Sequence, residues 1–166
     1  MNRARRERNE SDTLESFREN LAQALGTVPK KDPQMLHPLV LAYVGDTIFD
    51  LAVRTLLIDT HDAKVHMLHE MSARRVRASA QARAGTALYG LLTEQEQAVY
   101  RRGRNARPGT VPRHASVEEY CSASALEAVL GYLYLSGQQD RLLWALQKAL
   151  ELEQIADSRS PRPYKG

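Results

Sequence analysis

The sequence predicts an all-α protein, and three observations lead to this prediction. Ala, Leu, Arg, Glu and Gln, which favour helices, dominate its 166 residues. Runs of β-branched residues are few, and only 7 Pro and 9 Gly are available to interrupt longer elements. Several segments also repeat apolar residues at the three- and four-residue spacing of an amphipathic helix. The expected architecture is therefore a helical bundle.

The chain is long enough for one domain with a substantial core, accompanied by short flanking segments. Near the N-terminus, spaced apolar residues predict one appended helix that begins at Ser11 or Asp12 and ends at Gly26. Mixed charge with little to bury predicts loose chain ends. The expected parts are an N-terminal arm (1–31), a main domain (32–157) and a flexible tail (158–166).

The main domain should be built around Leu39–Ile58, which is apolar on most sides and therefore predicts a buried helix. Pro38, just before it, suits the first turn of a helix. A second helical stretch is expected to begin at His61–Asp62 and to reach about Ala73. A further piece would continue to Leu92, although one long kinked helix fits the same pattern.

Two capping boxes predict where the next helices begin. The motif TEQE at 93–96 begins one helix that runs to about Arg104, and SVEE at 116–119 begins another that ends near Gly137. A long loop rich in Gly, Pro and Arg separates them, and loops of this length are often functional. An amphipathic last helix is expected over 138–156.

Cysteine usage and hydropathy exclude several classes of protein. The single Cys121 excludes an intrachain disulfide and a multi-cysteine zinc site. No uncharged apolar run approaches the roughly 20 residues that span a bilayer, and the basic N-terminus lacks the apolar core of a secretory signal. A reducing cytoplasm, without a membrane partner, is the expected location.

Arginine is distributed unevenly along the chain. The net charge is only +3, but the acid-free stretches Met71–Thr93 and Gln97–Val117 together carry nine Arg. A merely solvated basic face would intersperse Asp and Glu among them. Guanidinium groups bind phosphate in bidentate geometry, so the pattern favours a nucleic acid as partner.

Three acidic residues lie inside strongly apolar helical segments. Asp46 and Asp50 share one face of the central helix, and Glu127 is the only charged residue between Tyr120 and Gln139. One interpretation is a structural ladder of Asp46, Asp50 and Arg54. If the two apolar helices pack together, however, their carboxylates approach each other, and like charges then require a proton or a cation. Oxygen ligands suit Mg²⁺, so the set suggests metal-assisted hydrolysis of a phosphodiester.

These segments resemble the ribonuclease III family. LAYVGDTIFD is similar to the signature helix of that family, and SALEAVLGYLYL is similar to its second metal-binding helix. RRGRNARPGT and LHEMSARRVRASAQA resemble the arginine-rich loop and basic region of the Mini-III subfamily, whose members lack a double-stranded-RNA-binding domain. The resemblance covers about Pro33–Ala156 and implies a ribonuclease III-like endonuclease domain.

The resemblance also implies an activity and its residues. Asp46 and Glu127 match the catalytic carboxylates that hold Mg²⁺, for which Mn²⁺ can substitute. Ala42 and Ser124 stand where longer family members carry Glu and Asp, which leaves the number of metal ions open. The implied substrate is double-stranded or structured RNA, particularly precursor 23S-type ribosomal RNA, cut by a homodimer to leave 5′-phosphate and 3′-hydroxyl ends.

The RNA contacts expected first lie in the arginine-rich loop, followed by two in the preceding basic region. Each of these arginines could instead be a surface residue with a buried stem. Asp50 is expected either to accept a hydrogen bond from a metal-bound water or, preferably, to be the structural partner of Arg54. The expected RNA contacts are Arg102, Arg104, Asn105 and Arg107, then Arg74 and Arg75.

Two other functions remain open. One is a catalytically silent RNA-binding or ribosome-associated helical dimer, for which an isolated Glu127 would be a cost without a use. The other is a nucleotide phosphohydrolase that uses the His61–Asp62 dipeptide as a metal ligand pair. The role of the N-terminal arm also stays open.

Overall fold

The computed structural model describes residues 17–28, 31–107, 109 and 116–159, and this part of the chain contains helices but no strand. The predicted all-α class is therefore confirmed. Two short 3₁₀ turns, Pro33–Met35 and Tyr89–Leu91, precede α2 and α5. The α-helices are α1 (Phe17–Ala24), α2 (Pro38–Thr60), α3 (Val65–Arg75), α4 (Ala78–Leu88), α5 (Glu94–Asn105), α6 (Val117–Leu135) and α7 (Gln139–Arg159).

The helix boundaries follow from local sequence chemistry. Both predicted capping boxes are present, at 93–96 before α5 and at 116–119 before α6. His37 caps α2, where its Nδ1 accepts a hydrogen bond of 3.2 Å from the Leu39 N–H. Gly26 follows α1 at a φ of +64°, a left-handed conformation that favours glycine. The candidate caps Ser11 and Asp12 lie outside the described residues.

Helix α6 forms the centre of the bundle, because every residue from Ser122 to Leu133 except Glu127 is buried. It packs against α2, α4 and α5, and α7 covers α4 and α6 from outside. Phe49 of α2 and Leu126 and Leu130 of α6 are wholly buried in the resulting core. A helix that is apolar on all sides is stable in this central position.

Helices α2 and α6 approach each other at two glycines. A Cβ on Gly45 would overlap the backbone carbonyl oxygen of Glu127, and one on Gly131 would overlap the carbonyl oxygen of Leu41. Only residues without a side chain allow two helix backbones to come this close. The crossing therefore sets Asp46, the residue after Gly45, beside Glu127.

One expectation about the region after α2 is wrong, and one pair of alternatives is decided. The next helix begins at Val65, with Lys64 as its N-cap, and not at His61–Asp62. The reason is that His61 adopts an extended conformation after its N–H closes α2 on the Leu57 carbonyl. Of the two alternatives for the stretch up to Leu92, separate helical pieces are confirmed rather than one long kinked helix, since Arg77 is extended between α3 and α4.

Candidate active site

Asp46 and Glu127, both predicted as catalytic carboxylates, lie side by side at the α2–α6 crossing. Their side chains are hydrogen-bonded, with the Glu127 carboxyl group donating to Asp46. Two carboxyl groups can share a hydrogen bond only when one of them carries a proton. The bundle thus holds two acids in a geometry that their negative charges would oppose.

The surroundings of this pair raise the pKa of both carboxyl groups. Burial and then the charge of Asp46 raise the pKa of Glu127 to about 8, against the opposing effect of a hydrogen bond from Gln81. Asp46 is at an exposed position, yet partial desolvation and then the charge of Asp50 raise its pKa as well. Raised pKa values from desolvation and a specific charge partner are typical of functional sites.

A divalent cation fits this arrangement. A cation between the carboxyl groups could replace their shared proton and relieve the repulsion that contributes to the raised pKa of Glu127. No group of three or more His, Cys, Asp or Glu side chains suited to a metal occurs within the described part of the chain. Ala42 and Ser124, near the two acids on the same helices, are buried and add no carboxylate. The protein would therefore supply two oxygen ligands, as Mg²⁺ sites that keep several waters do.

Asp50 has a different partner from Asp46. Its carboxylate accepts a hydrogen bond of 2.8 Å from Arg54 Nε, four residues later on α2. The predicted ion pair is therefore present, while the longer ladder that included Asp46 is not formed, because Asp46 faces Glu127. Asp50 still affects the site electrostatically, since its charge contributes to the raised pKa of Asp46.

Gln81 is a site residue that was not predicted from the sequence. Its side chain on α4 is 2% exposed and donates hydrogen bonds to Glu127 and, at 3.1 Å, to the carbonyl oxygen of Val76. A signal for it exists in the sequence: Gln81 shares a helix face with Ala84, Gly85 and Leu88, all of which are buried. A polar residue on an otherwise small and apolar face indicates a specific partner.

Arg102, the first of the expected RNA contacts, has a structural task. Its guanidinium group donates to the carbonyl oxygens of Gln34 at 2.8 Å and Leu36 at 2.7 Å. These carbonyls belong to the 3₁₀ turn and the residue after it, directly before α2. Arg102 therefore ties the end of α5 to the start of the helix that carries Asp46, whereas its contact with RNA stays a prediction.

The remaining expected contacts after Arg102 are exposed at the end of α5. Arg104, Asn105 and Arg107 all present their side chains to solvent. Arg104 is 3.8 Å from Glu118 at the beginning of α6, a distance too long for a strong ion pair. The rest of the predicted loop, apart from residue 109, lies outside the described residues.

Arg74 and Arg75 belong to a basic pocket of about 330 Å³ at the junction of α3 and α4. Arg77 and Arg83, which were not among the expected contacts, line the same pocket, together with Glu153 and Gln154 of α7. Four guanidinium groups around one cavity form a concentrated positive surface that suits phosphate.

A second surface of the bundle is apolar. A groove of about 790 Å³ runs along α2 between α1 and α7. Tyr43 is 80% exposed and Leu51 is 65% exposed on this face, and Phe17 of α1 is 58% exposed beside them. Contiguous exposed apolar side chains of this kind mark interaction surfaces.

The His61–Asp62 dipeptide and Cys121 do not form comparable sites. His61 Nδ1 is 2.8 Å from the hydroxyl group of Thr60, in an exposed position after α2. Cys121 is half-buried, and its thiol lies 3.9 Å from the carbonyl oxygen of Ala106. Neither contact resembles a metal site or an activated nucleophile. None of the described helices has the length and hydropathy needed to cross a membrane.

Comparison with known proteins gives a consistent result. The model of the "Ribonuclease III domain" family matches residues 39–138. "Mini-ribonuclease 3" of Symbiobacterium thermophilum is 44% identical over 120 residues, which cover 72% of this chain and 92% of the relative. The protein of the same name from Thermoanaerobacter sp. is 39% identical over 117 residues, or 70% and 82% of the two chains. A crystal structure of a protein from Fusobacterium nucleatum superposes with a TM-score of 0.66 at 26% identity, covering 74% of this chain and 98% of that one.

Proposed function

Because the chain belongs to the ribonuclease III family, as an endoribonuclease of the Mini-ribonuclease 3 kind, we propose that it cleaves structured RNA with Mg²⁺ held by Asp46 and Glu127. The family acts on double-stranded RNA and generally uses a divalent metal ion. The observation that carries the proposal is the hydrogen-bonded carboxyl pair at the α2–α6 crossing. A mere binding module has no use for two acids brought together at this cost.

Mg²⁺ bound there would supply Lewis-acid activation of the phosphodiester and would lower the pKa of a water nucleophile. The protein contributes rigid placement, because Asp46 and Glu127 are both carried on helices at a glycine crossing that cannot widen without losing packing. The proton that Asp46 and Glu127 share must leave before both carboxylates can act as metal ligands. In the proposed reaction the water attacks phosphorus and the bond from phosphorus to the 3′-oxygen breaks, which leaves 5′-phosphate and 3′-hydroxyl ends.

The experiment that tests this proposal compares the wild type with Asp46→Asn and Glu127→Gln on a structured RNA in Mg²⁺. Both variants keep the size of the side chain, so their fold and RNA affinity should persist while cleavage falls by about 100-fold or more. Circular dichroism and RNA binding in Ca²⁺ provide the controls. Intact RNA after incubation with the wild type, or undiminished cleavage by both variants, would contradict the proposal.

The RNA is proposed to lie across two arginine-rich surfaces. One comprises Arg104, Asn105 and Arg107 at the exposed end of α5, and the other is the basic pocket at the α3–α4 junction that contains Arg74 and Arg75. A-form RNA is recognised mainly through its shape, 2′-hydroxyl groups and phosphates, so guanidinium groups without base-reading elements suffice. Precursor ribosomal RNA of the large subunit is the proposed natural substrate.

We assign the apolar groove along α2 to a second copy of this chain. One catalytic pair cuts one strand, and a two-fold dimer would present two pairs to the two strands of a duplex. The exposed Tyr43 and Leu51 lie on the same helix as Asp46, so the proposed dimer face is rigidly linked to the site. Replacing Leu51 with Lys should give monomers in light scattering and should lower double-strand cleavage. A wild-type protein that is monomeric at assay concentration would contradict the assignment.

The proposed domain division keeps residues 32–157 as the catalytic domain, with 1–31 as an arm and 158–166 as a tail. The matched family region lies wholly inside 32–157. Within the arm, α1 contributes Phe17 and Leu21 to the apolar groove, which suggests support for the dimer. A chain that starts at residue 32 should therefore retain RNA cleavage at high protein concentration and dissociate more readily.

A further inference from the structure

We propose that Gln81 is a positioning residue for the reaction, which holds the Glu127 carboxyl group in its place for metal binding. This inference rests on the proposed function, since it assumes that Asp46 and Glu127 form the active site. It concerns a residue of α4, whereas the two carboxyl groups are supplied by α2 and α6. The third helix of the site would thus contribute no ligand but would fix one.

The first argument is the way in which Gln81 is bonded. The Val76 carbonyl can only accept a hydrogen bond, so the nitrogen of the Gln81 amide, and not its oxygen, must face it. One N–H of that nitrogen donates to Val76 at 3.1 Å, and the other is available for Glu127. Because the amide is held by the backbone on one side, its second N–H has a fixed direction.

The second argument is the cost of having glutamine at this position. The Gln81 side chain is almost wholly buried, and its Oε1 has no hydrogen-bond partner in the described structure. A buried acceptor without a partner destabilises a fold, and an apolar side chain of similar size would avoid this penalty. The neighbours of Gln81 on the same face, including Ala84 and Leu88, are apolar. The gain that offsets the penalty lies at Glu127, the one catalytic group that Gln81 contacts.

The third argument is the surroundings of Glu127 without this contact. Its other hydrogen-bonding neighbour is Asp46, a second acid that cannot donate to Glu127 once the shared proton has left. Donation from Gln81 is the interaction that favours the charged side chain in place. Partners of this kind orient metal ligands, and their loss commonly weakens metal affinity or activity about 10- to 100-fold.

The experiment uses Gln81→Met, which keeps the length of the side chain and removes both the N–H donors and the unpaired oxygen. The matched control is Gln97→Met on α5, whose amide Nε2 donates both of its hydrogen bonds to backbone carbonyls, of Tyr89 at 3.2 Å and Leu92 at 3.3 Å, and does not contact Glu127. Four quantities are measured for each variant: the melting temperature, kcat and KM on structured RNA, and Mn²⁺ affinity by calorimetry without RNA.

For Gln81→Met we expect a melting temperature equal to or above that of the wild type, kcat lowered about tenfold, KM little changed and Mn²⁺ affinity lowered about tenfold. For Gln97→Met we expect unchanged kcat and Mn²⁺ affinity, whatever its stability. Wild-type kcat and Mn²⁺ affinity in Gln81→Met would overturn the inference. Loss of folding in both Gln81→Met and Gln81→Leu would overturn it too, because Gln81 would then be structural.

Glu127→Gln, measured in the same series, separates this inference from the proposed function. If Glu127→Gln is inactive while Gln81→Met behaves as wild type, only the role of Gln81 is wrong. If Glu127→Gln cleaves as well as the wild type, the active-site assignment itself fails.

Discussion

Two glutamates in the same bundle show how the partner of a desolvated carboxyl group determines its role. Glu96, which is 2% exposed, receives hydrogen bonds of 2.7 and 2.8 Å from Arg141 and another from the Thr93 N–H. Burial alone would raise the pKa of Glu96, but these contacts outweigh it and lower the value. Glu127 has a second acid as its neighbour, and its pKa is raised to about 8.

Burial by itself is therefore not a sign of function. The Glu96 carboxylate already has its cation, since Arg141 joins α5 to α7 and also lies 3.7 Å above the Trp144 ring. The Glu127 carboxyl group faces Asp46, and no cationic side chain of the described residues contributes to its pKa shift. The charge of Glu96 is therefore balanced by a side chain of the fold, whereas the charges of Asp46 and Glu127 would be balanced only by a cation that the protein binds. Substitutions in the Glu96–Arg141 pair, in the Asp46–Glu127 pair and at the arginines of α5 test this contrast.

The largest expected effect is a loss of stability when the ion pair of Glu96 and Arg141 is broken. Arg141→Met should lower the free energy of unfolding by about 3 kcal/mol, because it leaves the buried Glu96 carboxylate without its cation. Urea denaturation at pH 7 measures this. Lys148→Met is the control, since Lys148 pairs with an exposed Glu151 and its loss should change stability little. If Arg141→Met is no more harmful than the control, Glu96 does not depend on Arg141 and the contrast is lost.

The next effect is a pH dependence of stability that arises at the pair of Asp46 and Glu127. Between the ordinary pKa of glutamate and about 8, the folded metal-free protein holds a proton on Glu127 that the unfolded chain does not. The free energy of unfolding should therefore fall as pH rises through this window, by a few kcal/mol, and then level off.

Glu127→Gln should remove this contribution and make the metal-free protein more stable than the wild type at pH 8. Denaturation at a series of pH values in EDTA checks both statements. An identical slope in wild type and variant would show that Glu127 titrates normally in the folded protein.

The smallest effect extends the contrast to the arginines of α5. Arg102 already donates to two carbonyl oxygens, whereas Arg104 and Arg107 are exposed. Replacing Arg104 and Arg107 with Gln should reduce the salt dependence of RNA affinity. The slope of log affinity against log salt should become shallower by about 0.7 to 0.9 for each phosphate that is no longer neutralised.

Arg102→Gln serves as the comparison for these arginines. It should chiefly lower the melting temperature, because the turn before α2 loses its anchor, with less change in the salt slope. If the salt slope depends on Arg102 alone, then Arg102 contacts the RNA, Arg104 and Arg107 do not, and the proposed division of roles is wrong.

Much of the fold was predictable because it depends on neighbours in sequence. The capping boxes at 93–96 and 116–119, the stop at Gly26 and the ion pair of Asp50 with Arg54 all join residues within a few positions. The all-α class follows from the same local preferences. The false start at His61–Asp62 arose where the extended conformation of His61, after α2, delayed the next helix.

The rest of the site depends on contacts between residues that are distant in sequence. Arg102 and Gln34 are 68 positions apart, and only the packing of α5 against the start of α2 makes the arginine an anchor. Gln81 meets Glu127 across α4 and α6; its own segment marks it as a polar residue on an apolar helix face but does not identify Glu127 as its partner. Asp46 and Glu127 were identified from sequence by family resemblance and as isolated acids in apolar helices. Their hydrogen bond is a product of the crossing at Gly45 and Gly131.

The most direct measurement of the central claim is the location of a bound metal. A crystal of the protein soaked in Mn²⁺ should give an anomalous peak between the carboxyl groups of Asp46 and Glu127, and the peak should vanish in Glu127→Gln. A wild-type crystal from active enzyme with Mn²⁺ bound elsewhere, and none at this pair, would contradict the account.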